Sequence, residues 1–407
     1  MVSVSCLICS GIRPFCIHKS YPIQRPQELE KKVKEKLKKE FFGPNYSVFV
    51  GHFGYPQVNI GPMAGLEIHD EIDDPTKWFG LDYQKIIELR SMLIRSKQQE
   101  NVFSRNKFIQ ENQELALASK PTDVEISFKK EPVFNFVLSD YLQPMGPVGS
   151  LEKLRITENT KIERKVEYIV KDDLKAAEAT FLLYKNNQDV YKITTILSSG
   201  VLGKEENKKI VPTRWSIVAS VDIIAKKLIE KIKDYNILSE YRVYHSDYLD
   251  NHYTILLIPG SWEFENFETW APGSNWSVPT QSKIIEEYEP YEGRTNYAEK
   301  QAGGYYQSRL GCCELLENLK KQAKVVVFRE VGEGYSIPVG SWQILESIRH
   351  AGKQTCRKFN TEKEALEYVK TITRVKMEDY IKNSRILKRK TLFDFVNIYR
   401  GAVQNLH

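Results

Sequence analysis

No apolar run in this 407-residue chain approaches the roughly 20 residues needed to cross a bilayer. The best candidate, YTILLIP at 253–259, has the length of a strand and reads as a buried one. Hydrophobic side chains must therefore be hidden by folding the chain onto itself. At 41% of residues they suffice for one or two sizeable cores. The N-terminal MVSVSCLICSGI is apolar but has no leading positive region, and Arg13 and cysteines follow at once. It does not read as a signal peptide. The expectation is a cytoplasmic protein without membrane association.

The clearest helix opens at Pro212-Thr213 and runs to about Lys233. It carries Ile217, Val218, Val221, Ile224, Ala225, Leu228 and Ile229 on one side. Further helices are expected over 27–41, from an Asp82 cap to about Lys97, and over 172–184 and 297–323. Two more are expected over 340–352, with Gly352 as C-cap, and over 360–370 behind a Thr361/Glu364 capping box. Strand-like runs fall at 46–62 (two strands round a Gly-rich turn), 122–128, 132–138, 161–170, 189–197, 253–259 and 325–331. Residues 261–296 read as largely loop. Helices and strands do not alternate as βαβ units, so the expected class is α+β, mixed sheets with packed helices. The expected organisation is a cysteine-rich, zinc-knuckle-like segment (1–24), an α+β core domain (25–285), a C-terminal core region (286–385) and a flexible tail (386–407).

Formal net charge is only +6, but the excess is lumpy. Lys and Arg cluster at 31–39 and 383–390, which suits a polyanionic partner such as nucleic acid. Glu28, Glu30, Glu35 and Glu40 are interleaved in the first cluster, so it reads equally well as a solvated helix face. Cys6, Cys9 and Cys16 crowd CLICSGIRPFC. Cys-x-x-Cys in a cytoplasmic chain suits a zinc knuckle, with His18 the nearest candidate fourth ligand. A reduced, metal-free N-terminus or a redox pair is the alternative. Cys312 and Cys313 read as buried small residues on an amphipathic helix. His69 beside Asp70, Glu71, Asp73 and Asp74 reads more readily as a solvated acidic loop than as a cation site.

No phosphate-binding P-loop is present, since Glu follows Gly-Lys in GVLGKEE. There is no Rossmann fingerprint, Gly-x-Ser-x-Gly elbow or His-Glu-x-x-His. KEENKKIVPTRWS offers Lys204, a helix N-terminus at Thr213, Arg214 and Trp215 for holding a phosphate and stacking a base. His52 in GHFGYP and Arg309 in AGGYYQSR complete the candidate nucleotide-binding residues. For each one alone, a packing or ion-pair role is the competing reading.

Several strings occur together: CLICSGIRPFC, GHFGYPQVNIGPM, DDPTKWFG, SSGVLGKEENKKIVPTRWS, GGYYQSRLGCCELL and GYSIPVGSWQILESIRHA. In this combination the chain resembles the archaeal Nre family across nearly its whole length. The resemblance implies a DNA-damage-response factor that binds the sliding clamp PCNA and DNA. It implies a four-cysteine zinc knuckle, matched here by Cys6, Cys9 and Cys16, with Tyr21 at the fourth position and His18 as the substitute ligand. It also implies a C-terminal clamp-binding peptide (PIP box). Leu392 matches its aliphatic residue and Phe395 its first aromatic. Arg389 stands in place of Gln, and Val396 in place of the second aromatic. In a 3₁₀ turn Leu392, Phe395 and Val396 project on one side as an apolar plug, weaker than a full consensus peptide. The alternative function is an enzyme acting on nucleic acid or NAD-type dinucleotides, a nuclease or an ADP-ribosyltransferase. Its carboxylates would come from 70–74, EGYSIP or WEFENFETW.

Overall fold

Strand β1 (Glu40–Val50) is long enough to serve two neighbours. Its first half pairs antiparallel with β4 (Thr122–Phe128), its second half with β2 (Gln57–Gly65). A bulge between Asn45 and Ser47 bends it between the two. β2 pairs antiparallel with β3 (Leu93–Asn101), β3 runs parallel to β5 (Val148–Ile156), and β5 returns antiparallel to β4. The five strands close a barrel in the order β1-β2-β3-β5-β4. Val48, Val50, Val58, Ile60, Ala64, Ile94, Val124, Ile126 and Phe128 fill it, all essentially buried.

The structure, a computed structural model, describes residues 26–136, 143–272, 274, 282–335 and 337–388. Its residues fall into two compact units, 1–227 with 336–346 and 228–335 with 347–407. The barrel belongs to the first. Helix α3 (Lys107–Leu117) links β3 to β4 and starts at Asn106, whose side chain accepts from the Ile109 N–H at 3.0 Å. Also in this unit are α1 (Pro26–Lys36), α2 (Tyr83–Ser91), α4 (Arg164–Lys171), α5 (Ala176–Lys185), α6 (Val190–Ser198) and the start of α7 (Thr213–Ile232). The late segment 336–346 completes the unit. Trp342 packs edge-on against Trp78 at 5.2 Å, and Tyr191 donates to Glu346 Oε1 at 2.9 Å.

In the second unit a six-stranded mixed sheet runs β11-β6-β7-β10-β8-β9. The strands are β6 (Tyr241–Tyr248), β7 (Asn251–Ile258), β8 (Glu263–Trp270), β9 (Lys283–Glu289), β10 (Lys324–Val331) and β11 (Arg357–Phe359). One face buries Val243, Leu256, Phe267, Val326 and Phe328 against α10 (Glu362–Ile372) and α11 (Met377–Asn383), and Ile386 and Leu387 close this core. The other face carries α8 (Gly303–Leu319), where Tyr305 meets Phe264 edge-on at 5.4 Å. α9 (Trp342–Lys353) begins in the first unit and ends in the second.

The α+β class matches the expectation, and several elements correct it. Residues 164–171 and 190–198 are helices where strands were expected. Their β-branched residues repeat at three- and four-residue spacing, and Val166 and Ile169, then Val190, Ile193 and Leu197, are buried on one side of each helix. The helix opened by Asp82 ends at Ser91, and 93–101 is barrel strand β3. Residues 263–270 and 283–289 are strands rather than loop. Gly352 lies inside α9, one residue before its end. At 132–138 only a bridge between Val133 and Val148 forms among the described residues. The sheet runs through position 285, where the domain boundary was expected, because β8 and β9 pair across it. No helix among the described residues is long and apolar enough to cross a membrane.

Candidate nucleic-acid interface

Loop 51–56 turns β1 into β2. Gly54 sits at φ +82°, where a Cβ would also meet the Gln57 carbonyl oxygen at 2.8 Å. The turn pushes out Phe53, 80% exposed, with His52 against it at 4.1 Å, and Tyr55, 42% exposed. Trp215, 45% exposed, lies 5.1 Å from the Tyr55 ring. It is held there because the Val50 N–H donates to Thr213 Oγ1 at 2.9 Å, which sits 3.1 Å from Ser198 Oγ. Phe103, 61% exposed, joins through the Val102 N–H bonded to the Pro56 carbonyl at 3.0 Å. The Ile210 N–H bonds to the Val102 carbonyl at 2.9 Å, which brings Lys209 to the same end of the barrel.

Residues paired across neighbouring strands face the same side, and alternate residues share a face. The barrel interior holds Val58, Ile60 and Ala64 of β2 and Ile94 of β3. The outer face of β2–β3 therefore carries Gln57 with Asn101, Asn59 with Gln99, then Lys97, then Met63 with Arg95. Ser47 of β1 is paired to Met63 on this face. Arg214, Lys209 and Lys97 have no anionic partner among the described residues.

At the Ser47 end, three charged groups converge on the outside of the barrel. Ser47 bonds to Asp73, and its Oγ lies 3.3 Å from Thr195 Oγ1. Arg90 donates from Nε to the Pro144 carbonyl at 2.9 Å and lies over the Trp78 ring at 5.7 Å. Lys192 donates to the Ala118 carbonyl. All three are partly accessible yet ringed by protein. Desolvation pushes the Asp73 carboxyl up to about 6, against the pull of Arg90 and Ser47. It pulls Lys192 down to about 8 and Arg90 down to about 10. No ion pair of 4.0 Å or less joins them among the described residues.

The structure brings His52, Thr213, Arg214 and Trp215 together, as the sequence suggested, although Thr213 acts as a structural tie. Lys204 is drawn off to Asp173 at 3.7 Å. Glu205 takes Arg105 at 2.6 Å and Lys208 at 3.2 Å. Arg309, expected at a nucleotide-binding surface, is 1% exposed in the second unit and paired to Glu289 at 2.5 Å. The carboxylates of WEFENFETW are also engaged. Glu263 meets Lys324 at 3.0 Å, Glu268 meets Arg329 at 2.6 Å, and Glu265 holds the segment after α11. Among the described residues no group of three or more His, Cys, Asp or Glu is placed to hold a metal ion. Cys6, Cys9, Cys16 and His18, and Arg389, Leu392, Phe395 and Val396, lie outside the described residues. Sequence reading missed Phe53, Phe103 and Lys97, which only the barrel register assembles.

Comparison with known proteins decides the family. Models of the N-terminal and C-terminal parts of archaeal Nre match residues 15–277 and 289–395. The chain belongs to the archaeal Nre family. DNA repair protein NreB of Archaeoglobus fulgidus is 33% identical over 97% of this chain and 100% of its own. DNA repair protein NreA of Haloferax volcanii is 34% identical over 87% of this chain and 88% of its own. NreA of A. fulgidus is 32% identical over 90% of this chain and 93% of its own. No solved structure matches this Nre chain. The two Nre parts meet between 277 and 289, whereas the compact units divide at 227 and on either side of 336–346.

Proposed function

We propose that this Nre chain is a DNA-repair factor that binds the sliding clamp PCNA through its C-terminal segment and DNA through the first unit. The relatives' names as DNA repair proteins support the role. One observation carries the clamp reading. The core of the second unit closes on Leu387, Lys388 is exposed, and the Leu392-x-x-Phe395-Val396 motif follows directly, with Leu392 and Phe395 inside the span matched as Nre, which ends at 395, and Val396 just beyond it. A plug of this size contributes a few kcal/mol of apolar burial at about 25 cal/mol per Å², less the cost of ordering the segment. Arg389 in place of Gln and Val396 in place of an aromatic make the contact weaker than a consensus peptide would. Lys388, Arg389 and Lys390 speed encounter with an acidic rim.

The test is a double substitution. Leu392→Ala with Phe395→Ala removes clamp binding in a pull-down or titration while the melting temperature stays unchanged. A sharp fall in melting would mean that these residues belong to the core instead. In the same reading Cys6, Cys9, Cys16 and His18 hold a structural zinc. Metal analysis is expected to return about one zinc per chain, lost on His18→Ala. Zinc retained by that variant rules out this ligand set.

A further inference from the structure

We propose that the barrel is an oligonucleotide-binding (OB-type) module and that its β2–β3 face, continued by loop 51–56, takes single-stranded DNA. The proposal rests on reading the chain as a DNA-binding repair factor, and it adds which form of DNA is bound and where. The topology points there first. Five strands close in the order β1-β2-β3-β5-β4, β3 and β5 are the parallel pair, and α3 lies between β3 and β4. That is the OB arrangement, in which the β2–β3 face and the loops after β1 and β4 contact oligonucleotides or oligosaccharides. Topology alone is analogy, so the residues must carry the chemistry.

They do so in three ways. Phe53, Tyr55, Phe103 and Trp215 are large apolar side chains left in solvent, and they gather where the loop after β1, the end of β3 and the start of α7 meet. Exposed rings can stack on bases, and every base has a face to offer, so such stacking is strong and tolerant of sequence. A duplex hides its base faces inside its own stack and offers these rings nothing. Next, Lys97, Lys209 and Arg214 lie along the same face and end of the barrel without anionic partners among the described residues, so they are available to backbone phosphates. A neutral sugar would stack on the rings but would leave these charges unmatched, which favours the polyanion. Finally, Asn59, Gln99 and Gln57 line the strands between the aromatic end and the Ser47–Arg95 end. They supply amide donors and acceptors along the path a strand would follow.

The experiment uses the full chain and fluorescence anisotropy. The probes are a labelled oligothymidylate of about 16 nucleotides, a duplex of the same length and, as competitor, an unlabelled neutral oligosaccharide. The strand is expected to bind more tightly than the duplex and to resist the sugar. Phe53→Ala with Tyr55→Ala and Trp215→Ala is expected to weaken strand binding at least about tenfold with melting unchanged. Phe53→Ala alone gives a smaller loss and serves if the triple variant does not fold. Lys97→Glu with Arg214→Glu is expected to flatten the salt dependence. If the aromatic variants bind the strand as the parent does, or if the duplex binds as well or better, the proposal falls and the DNA-binding reading stands. Displacement by the sugar also overturns it. If neither DNA form binds, both readings fall together.

Discussion

Asp73 shows how much one residue's setting decides. Its carboxyl titrates at about 6 in the fold because burial outweighs Arg90, Ser47 and Lys192, whereas in the unfolded chain it titrates near 3.9. Between those values the folded state holds a proton that the unfolded state has lost. Its contribution to stability therefore falls as pH rises through that window and stays lowered above it. Asp73→Asn is expected to raise stability by about 1 kcal/mol at pH 7.5. The gain over the parent grows from pH 4 to pH 6 and then levels off, as thermal melts across pH would show. A gain that is flat across that range would mean the carboxyl is not buried this way. Little of this was legible beforehand. DDPTKWFG looks like an acidic surface loop, and only α2 and α6 bring Arg90 and Lys192 to it. Arg309 failed in the opposite sense, because nothing in YYQSR distinguishes a helix face turned inward from one turned to solvent. His52, Arg214 and Trp215 sit on a glycine-rich loop and at a proline-opened helix start, elements that leave a local mark in the sequence, and the fold sets that loop and helix start side by side.

Among the elements, the long amphipathic helix after Pro212 and the capping box at Thr361, whose Oγ1 accepts from the Glu364 N–H at 3.3 Å, formed where their patterns placed them. The errors cluster where composition and burial disagree. VYKITTILS is rich in β-branched residues yet helical, because its apolar side chains recur with a helical period. EFENFETW looks too acidic for an inner strand, yet β8 is buried on both faces because each glutamate has a partner. Glu265 is the most consequential of these. Its carboxylate takes the Ser384 hydroxyl, the Arg385 N–H at 2.5 Å and the Ile386 N–H at 3.5 Å. One side chain thus fixes the stretch from α11 to Leu387. Glu265→Ala leaves three donors without an acceptor, a cost of about 1–3 kcal/mol. Amide exchange at Arg385, Ile386 and Leu387 is expected to speed up at least about tenfold, while β7 and β10 keep their protection. Unchanged exchange at those amides would show that packing alone holds the segment. Burial and repulsion from Glu286 raise Glu265 to about 7, so this anchor too contributes less as pH climbs from the ordinary carboxylate range through neutrality.

For the whole molecule, the sequence made an α+β protein legible. The physical units did not follow from sequence, because contact between distant segments leaves no local pattern. Residues 336–346 look like an ordinary loop and helix start, yet they complete the first unit, with Trp342 against Trp78 and Glu346 bonded to Tyr191. That membership has a consequence for how the protein is made. The barrel and its helices are finished by residue 227, but the last piece of their unit leaves the ribosome only about 120 residues later. At ordinary elongation rates that is a delay on the order of 10 s. During it Trp78 and Tyr191 wait without their final partners while the strands of the next unit emerge. The order of synthesis and the order of assembly are thus uncoupled in this chain, and the last piece of the first unit arrives only after residues 228–335 of the second have been translated.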